Sequence, residues 1–179
     1  MRRLLIIAAI VAGTAAVTGI VIYGQMNASL LSDRKATPIR TADRKPAPAF
    51  SRAALSGRAV DLHRFAGKPV VITFFASWCP PCRQDAPGTA RLGREFGSRV
   101  QMLGIAIDDK RPAAMRFVSQ YHWTWPIVFD PSDDLAYRYD LIGKPTTVVI
   151  DQHGRIAWQH AGKIGTRPIA QVLDALLQA

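Results

Sequence analysis

Cys79 and Cys82 are the only cysteines in the chain, and they sit in Trp78-Cys79-Pro80-Pro81-Cys82. Two thiols separated by two residues can face each other across one turn when the first begins a helix. They can then open and close a four-residue disulfide ring, which is the chemistry of thiol–disulfide exchange. A cysteine at or just before a first helical turn meets unpaired backbone N–H groups and the positive end of the helix dipole, and both favour the thiolate. Cys79 is therefore the expected attacking residue. Pro80 and Pro81 carry no N–H, which leaves the Cys82 amide as the backbone donor to the Cys79 sulfur; they also stiffen the loop. Cys82, one turn further in, is expected to be less exposed and to act as the resolving thiol.

Such a pair has other uses. A structural zinc needs four ligands, and none of His63, His122, His153 or His160 is spaced like the second half of a site. A copper site built from both sulfurs and one histidine, as in a metallochaperone, is the alternative from another class of function. A purely structural disulfide closing so short a loop would stabilise little. No cofactor and no resident metal is expected beyond the dithiol itself.

The neighbouring segments supply the scaffold this chemistry needs. Val70-Val71-Ile72-Thr73-Phe74-Phe75 reads as a buried strand that delivers the motif, and Gln84 to Phe96 can continue as the helix behind it. Ala59 to Leu62 reads as a short edge strand and Val100 to Ile107 as a second buried strand. Pro112 to Tyr121 reads as a helix with its proline in the first turn. Trp125 to Phe129 is a short extended piece and Asp133 to Tyr139 a short helix. Thr146–Ile150 and Arg155–Gln159 are strands joined by the turn Asp151-Gln152-His153-Gly154. Thr166 to Gln178 closes the chain as a helix, with Ile169, Val172, Leu173, Leu176 and Leu177 spaced three and four apart. Strands that alternate with helices and end in a hairpin predict an α/β domain over residues 51–179, with a central mixed sheet and helices on both faces. A hydrophobic content of 49% against 20% charged residues suits such a core.

Residues 1–23 read differently. Leu4 to Tyr23 carries no charge, and twenty residues at about 1.5 Å rise match a hydrocarbon core of about 30 Å. Ala15-Ala16 offers a cleavage site, but apolar sequence continues through Ile20-Val21-Ile22-Tyr23, which favours an uncleaved membrane anchor over a signal peptide. Arg2 and Arg3 favour an N-terminus left in the cytoplasm, whereas Arg34, Lys35 and Arg40 argue the other way. The flank nearest the span, Gly24 to Asp33, has no positive charge, so export of the domain is expected, into a periplasm or outside the cell. Residues 24–50, with Pro38, Pro46 and Pro48, read as an extended linker. The net charge of +10 is spread along the chain with no basic stripe carrying interleaved aromatics, so nucleic acid is not expected as a partner.

From about Arg52 to Ala179 the chain resembles the membrane-tethered, extracytoplasmic thioredoxin-like proteins of the TlpA, ResA and CcmG (DsbE) group. The resemblance rests on Phe74-Phe75-Ala76-Ser77-Trp78-Cys79-Pro80-Pro81-Cys82, Asp85-Ala86-Pro87, Ile105-Ala106-Ile107-Asp108, and Gly143-Lys144-Pro145-Thr146-Thr147 leading to Ile150-Asp151 and Gly154. It implies a thioredoxin-like fold and a reductase of protein disulfides, often in cytochrome c maturation. It also implies a membrane electron donor of the DsbD or CcdA type. Pro145 matches the cis-proline that packs beside the cysteines and leaves the backbone of Lys144 free to pair with an extended substrate, or it is an ordinary trans turn proline; Trp78, Lys144 and Thr146 are the expected substrate-binding positions. Trp78 would either cover the disulfide or fill space. Asp85 matches an acidic position that takes a proton from the second thiol through water, or it is a solvated first-turn carboxylate. Relatives commonly place an uncharged residue at Lys144, so its ammonium would either favour the Cys79 thiolate and attract acidic substrate segments, or point to solvent. Thr73 stands where plain thioredoxins carry a buried Asp, and a threonine cannot titrate. Pro87 and Gly88 are expected to bend or interrupt the helix, as in the group.

Overall fold

Six consecutive β-branched or aromatic residues, Val70–Phe75, are all buried and form the middle strand of the molecule. The computed structural model describes residues 36–179; the apolar stretch 4–23 and the first part of the expected linker lie outside the described residues. Around strand β3 (Val70–Phe75) the sheet runs β5-β4-β3-β6-β7, with β4 at Gln101–Ile107, β5 at Ile127–Asp130, β6 at Thr146–Ile150 and β7 at Ile156–Ala161. The β3, β4 and β5 neighbours pair in parallel, while β6 pairs antiparallel with both β3 and β7. The mixed sheet expected from the alternation of elements is therefore present. Strands β1 (Ser51–Ala53) and β2 (Ala59–Asp61) form a separate antiparallel hairpin.

The helices are α1 (Pro80–Phe96), α2 (Arg111–Gln120), α3 (Asp134–Arg138) and α4 (Arg167–Leu177). They divide unequally between the two faces. Val71 and Val149 pack with Leu92 and Phe96 of α1 and with Ile169, Val172, Leu173 and Leu176 of α4. Phe75 and Ala106, on the same side of their strands, pack with Ala86 and Ala90 of α1 and Ala114 and Phe117 of α2. On the opposite face Ile72, Phe74, Leu103 and Ile105 meet Leu135 of the short α3, Tyr139, and Phe50, Val60 and Leu62 from the N-terminal part of the domain. Three of the four helices thus lie on the face that carries the cysteines.

Helix α1 continues through Pro87 without interruption, although a proline inside a helix removes one backbone hydrogen bond. One expectation is corrected. Residues 36–50, read as part of a free linker, lie against the domain. The Ile39 N–H donates to the Ala157 carbonyl at 2.7 Å, the Ile156 N–H to Lys45 O at 2.8 Å, and the Ala47 N–H to Gly154 O at 2.9 Å. Phe50 is buried, and Arg44 reaches the buried Asp151 carboxylate at 2.9 Å. An extended, proline-containing segment is also what a sheet edge can accept, so composition alone does not separate a spacer from an edge cover. This segment closes the outer edge of β7. On the other side, Ala54 bridges to Val128 and the Leu55 N–H donates to Ile127 O at 2.7 Å, covering β5.

Candidate active site

The strand end Ala76-Ser77-Trp78 carries the first cysteine to the start of α1. Cys79 is the N-cap residue, and its sulfur accepts the Cys82 N–H at 3.4 Å, the one amide that two consecutive prolines leave available. The cysteines are joined as a disulfide with Cα atoms 5.3 Å apart. Both are almost fully buried, at 3% exposure each, so overall exposure does not distinguish them. Their surroundings do. The Cys79 sulfur lies 3.6 Å from the Lys144 carbonyl oxygen, beside the cis Lys144–Pro145 peptide. Cys82 instead lines an internal cavity with Asp85, Thr73, Thr89, Pro145 and Thr147. The cavity's volume of about 10 Å³ is about what one water needs.

Asp85 is partly buried, and its Oδ2 accepts the Ile164 N–H at 3.1 Å. It is therefore fixed at the cavity wall, not a freely solvated first-turn carboxylate. Thr73, 6% exposed, lines the same cavity, so the position where plain thioredoxins are expected to carry an acid here offers only a hydroxyl. Behind the disulfide helix, Phe75 stacks on Phe117 with ring centroids 4.8 Å apart. The Trp123 indole N–H donates to Ala86 O at 3.1 Å, holding α1 against the sheet.

Trp78 is no core filler, being 53% exposed. Its indole N–H donates to the Asp108 carbonyl at 2.7 Å. The Lys144 Nζ stands 4.5 Å from the Trp78 ring centroid and 2.7 Å from Asp108 Oδ2. The Lys144 ammonium thus neither points freely to solvent nor stands unpaired beside the sulfur; it is held by a carboxylate and an aromatic face. At a partly exposed site the ring contact contributes about 0.5–1 kcal/mol and the solvent-screened ion pair about 0.2–1 kcal/mol. Thr146, expected at the substrate-binding rim, is fully buried, and its hydroxyl donates to Gly143 O at 2.7 Å, so its side chain braces the turn before β6.

Asp108 and Asp109 are the residues that sequence reasoning left without a role. The Asp109 carboxylate accepts the Ser77 N–H at 2.6 Å and the Ser77 hydroxyl at 2.8 Å, while Arg83 Nε donates to Ser77 O at 2.7 Å. Asp108 has a left-handed backbone, φ 47°, and its N–H donates to Asp133 Oδ1 at 2.9 Å. The available signal was position: two carboxylates directly after a parallel strand, at the carboxyl end of the sheet where α/β folds assemble sites. No group of three or more His, Cys, Asp or Glu among the described residues could hold a metal ion.

Comparison with known proteins agrees with this geometry. The Redoxin family pattern matches residues 42–176. The thioredoxin-like protein YneN of Bacillus subtilis is 31% identical over 131 residues, covering 72% of this chain and 76% of that one. The thiol:disulfide interchange protein DsbE of Allochromatium vinosum is 30% identical over 136 residues, 74% of each chain. Among solved structures, DsbF of Mycobacterium tuberculosis superimposes with a TM-score of 0.67 at 26% identity, covering 71% of this chain and 94% of that one.

Proposed function

Since the chain belongs to the Redoxin family and is a thiol–disulfide oxidoreductase of thioredoxin-like fold, we propose that it works as a reductase of protein disulfides outside the cytoplasm. The observation that carries the assignment of roles is the unlike setting of the two sulfurs. Cys79 sits at a helix N-terminus against the Lys144 carbonyl, while Cys82 faces the Asp85 cavity. In the reduced enzyme the Cys79 thiolate attacks one sulfur of a substrate disulfide. A Cys79–substrate bond forms and the other substrate sulfur leaves as a thiolate. Cys82 passes its proton through a cavity water to Asp85 and attacks the Cys79 sulfur. The Cys79–Cys82 bond forms, the second substrate thiolate leaves, and the substrate has gained two electrons. The Lys144 backbone beside cis-Pro145 offers the extended substrate a place to pair.

Re-reduction then requires a dithiol donor; a membrane protein of the DsbD or CcdA type would fit if the apolar stretch 4–23 anchors the chain, with cytochrome c maturation as the proposed setting. Replacement of Cys82 by Ser tests the assignment. It should accumulate a mixed disulfide between Cys79 and the substrate, identifiable by mass spectrometry, because the resolving attack is lost. Trapping by Cys79→Ser and not by Cys82→Ser would reverse the roles. Stoichiometric Cu(I) binding without disulfide reduction would favour the metallochaperone.

A further inference from the structure

Lys144 has its carbonyl oxygen 3.6 Å from the Cys79 sulfur, so its side chain roots at the point where a substrate disulfide must arrive. A bare ammonium there would select for acidic segments. The structure shows it paired instead, with Asp108 Oδ2 at 2.7 Å and only 22% of the Lys144 side chain exposed. Of the other charges around the motif, Asp109 sits on Ser77, Arg83 on the Ser77 carbonyl and Lys163 on the Gln84 side chain at 3.0 Å, while the exposed Lys110 lines the groove beside Trp78 and Asp108 and is a constant background to wild type and variants alike.

We propose that Asp108 is a specificity-determining residue whose carboxylate cancels the Lys144 charge, so that the rim beside Cys79 accepts disulfides flanked by acidic and by uncharged residues alike. This deepens, and rests on, the reading of the site as one that exchanges electrons with protein disulfides. Asp108 itself is 58% exposed at its side chain, yet its backbone is fixed independently of the carboxylate. Its N–H is held by Asp133 and its carbonyl by the Trp78 indole, and its left-handed φ of 47° is one that asparagine also tolerates. Asp108→Asn is therefore a change of charge alone. The Trp78 ring, 4.5 Å from the Lys144 Nζ, keeps the ammonium at the rim once the carboxylate is gone.

The test uses full-length protein in non-ionic detergent and two synthetic peptide disulfides that differ only in Glu or Gln beside one cysteine. Second-order rate constants are measured for reduced enzyme on the disulfides and for oxidised enzyme on the dithiol forms. The Glu/Gln rate ratio is the readout, because damage to the fold would slow both peptides together. Wild type should show a ratio within about twofold of one, and D108N should raise it about three- to fivefold, the scale of one exposed ion pair. K144Q, which leaves Asp108 uncompensated, should move the ratio below the wild-type value. The double variant should return it to wild type, and 1 M salt should collapse the differences. A ratio unmoved by both single variants, or moved in the same direction by both, overturns the proposal. An enzyme that oxidises dithiols faster than it reduces disulfides would overturn the reductase reading alone, since the ratio is still read in that direction.

Discussion

At the scale of single residues, the proposed division of the reaction between the two cysteines turns on Asp85. Its carboxylate is fixed by the Ile164 N–H at the wall of the cavity that Cys82 also lines. Asp85→Asn keeps the size and loses the proton acceptor. The decay of the mixed disulfide in a single-turnover stopped-flow experiment should slow about a hundredfold at neutral pH, the low end for loss of a general base. The deficit should shrink as the pH rises and Cys82 ionises without help. Equal rates at neutral pH would assign the proton to another acceptor. The attack by Cys79 should be little changed, because that sulfur is stabilised by the Cys82 N–H and the helix terminus.

At the scale of elements, much of the site was legible because it is local. The strand before the motif, the helix after it, the donor amide of Cys82 and the hairpin turn at Asp151–Gly154 all follow from neighbours in sequence. The pieces contributed from far along the chain were not legible. Nothing near Lys144 announces that its partner is Asp108, and nothing near Thr146 shows that its hydroxyl is consumed by a turn. The ion pair that ties residues 36–50 to the domain reaches Asp151, more than a hundred residues away. That carboxylate is 1% exposed. Burial pushes its pKa up, but the N–H of Arg155, the Arg44 guanidinium and the N–H of His153 more than offset this and hold it below the ordinary carboxylate value. A pKa depressed by folding contributes stability that is present above the unfolded value, about 4, and lost as pH falls through the folded one. Asp151→Asn should lower stability by about 2–4 kcal/mol, since Arg44 is left almost buried without its counter-ion. The variant should also lose that part of the acid-dependent fall in Tm. Thermal melts of wild type and variant from pH 7 down to pH 3 check both; superimposable curves would show that the pair contributes nothing to folding.

At the scale of the whole molecule, the expected arrangement is a membrane-anchored chain with its redox domain on the oxidising side. Alkaline phosphatase joined after Ala179 should be active, since that reporter needs disulfides formed outside the cytoplasm. An inactive fusion made at normal levels would place the domain in the cytoplasm. The closed sheet adds a consequence for such a setting. Both outer strands are occupied, β7 by residues 39–47 and β5 by Ala54 and Leu55. Open strand edges act as templates on which extended chains zip up into aggregates. A reductase of the kind proposed would handle polypeptides before they have finished folding, when they present many such chains. With its edges already paired, this domain can hold an unfinished client at the sulfur and let it go again, without becoming the seed on which that client precipitates.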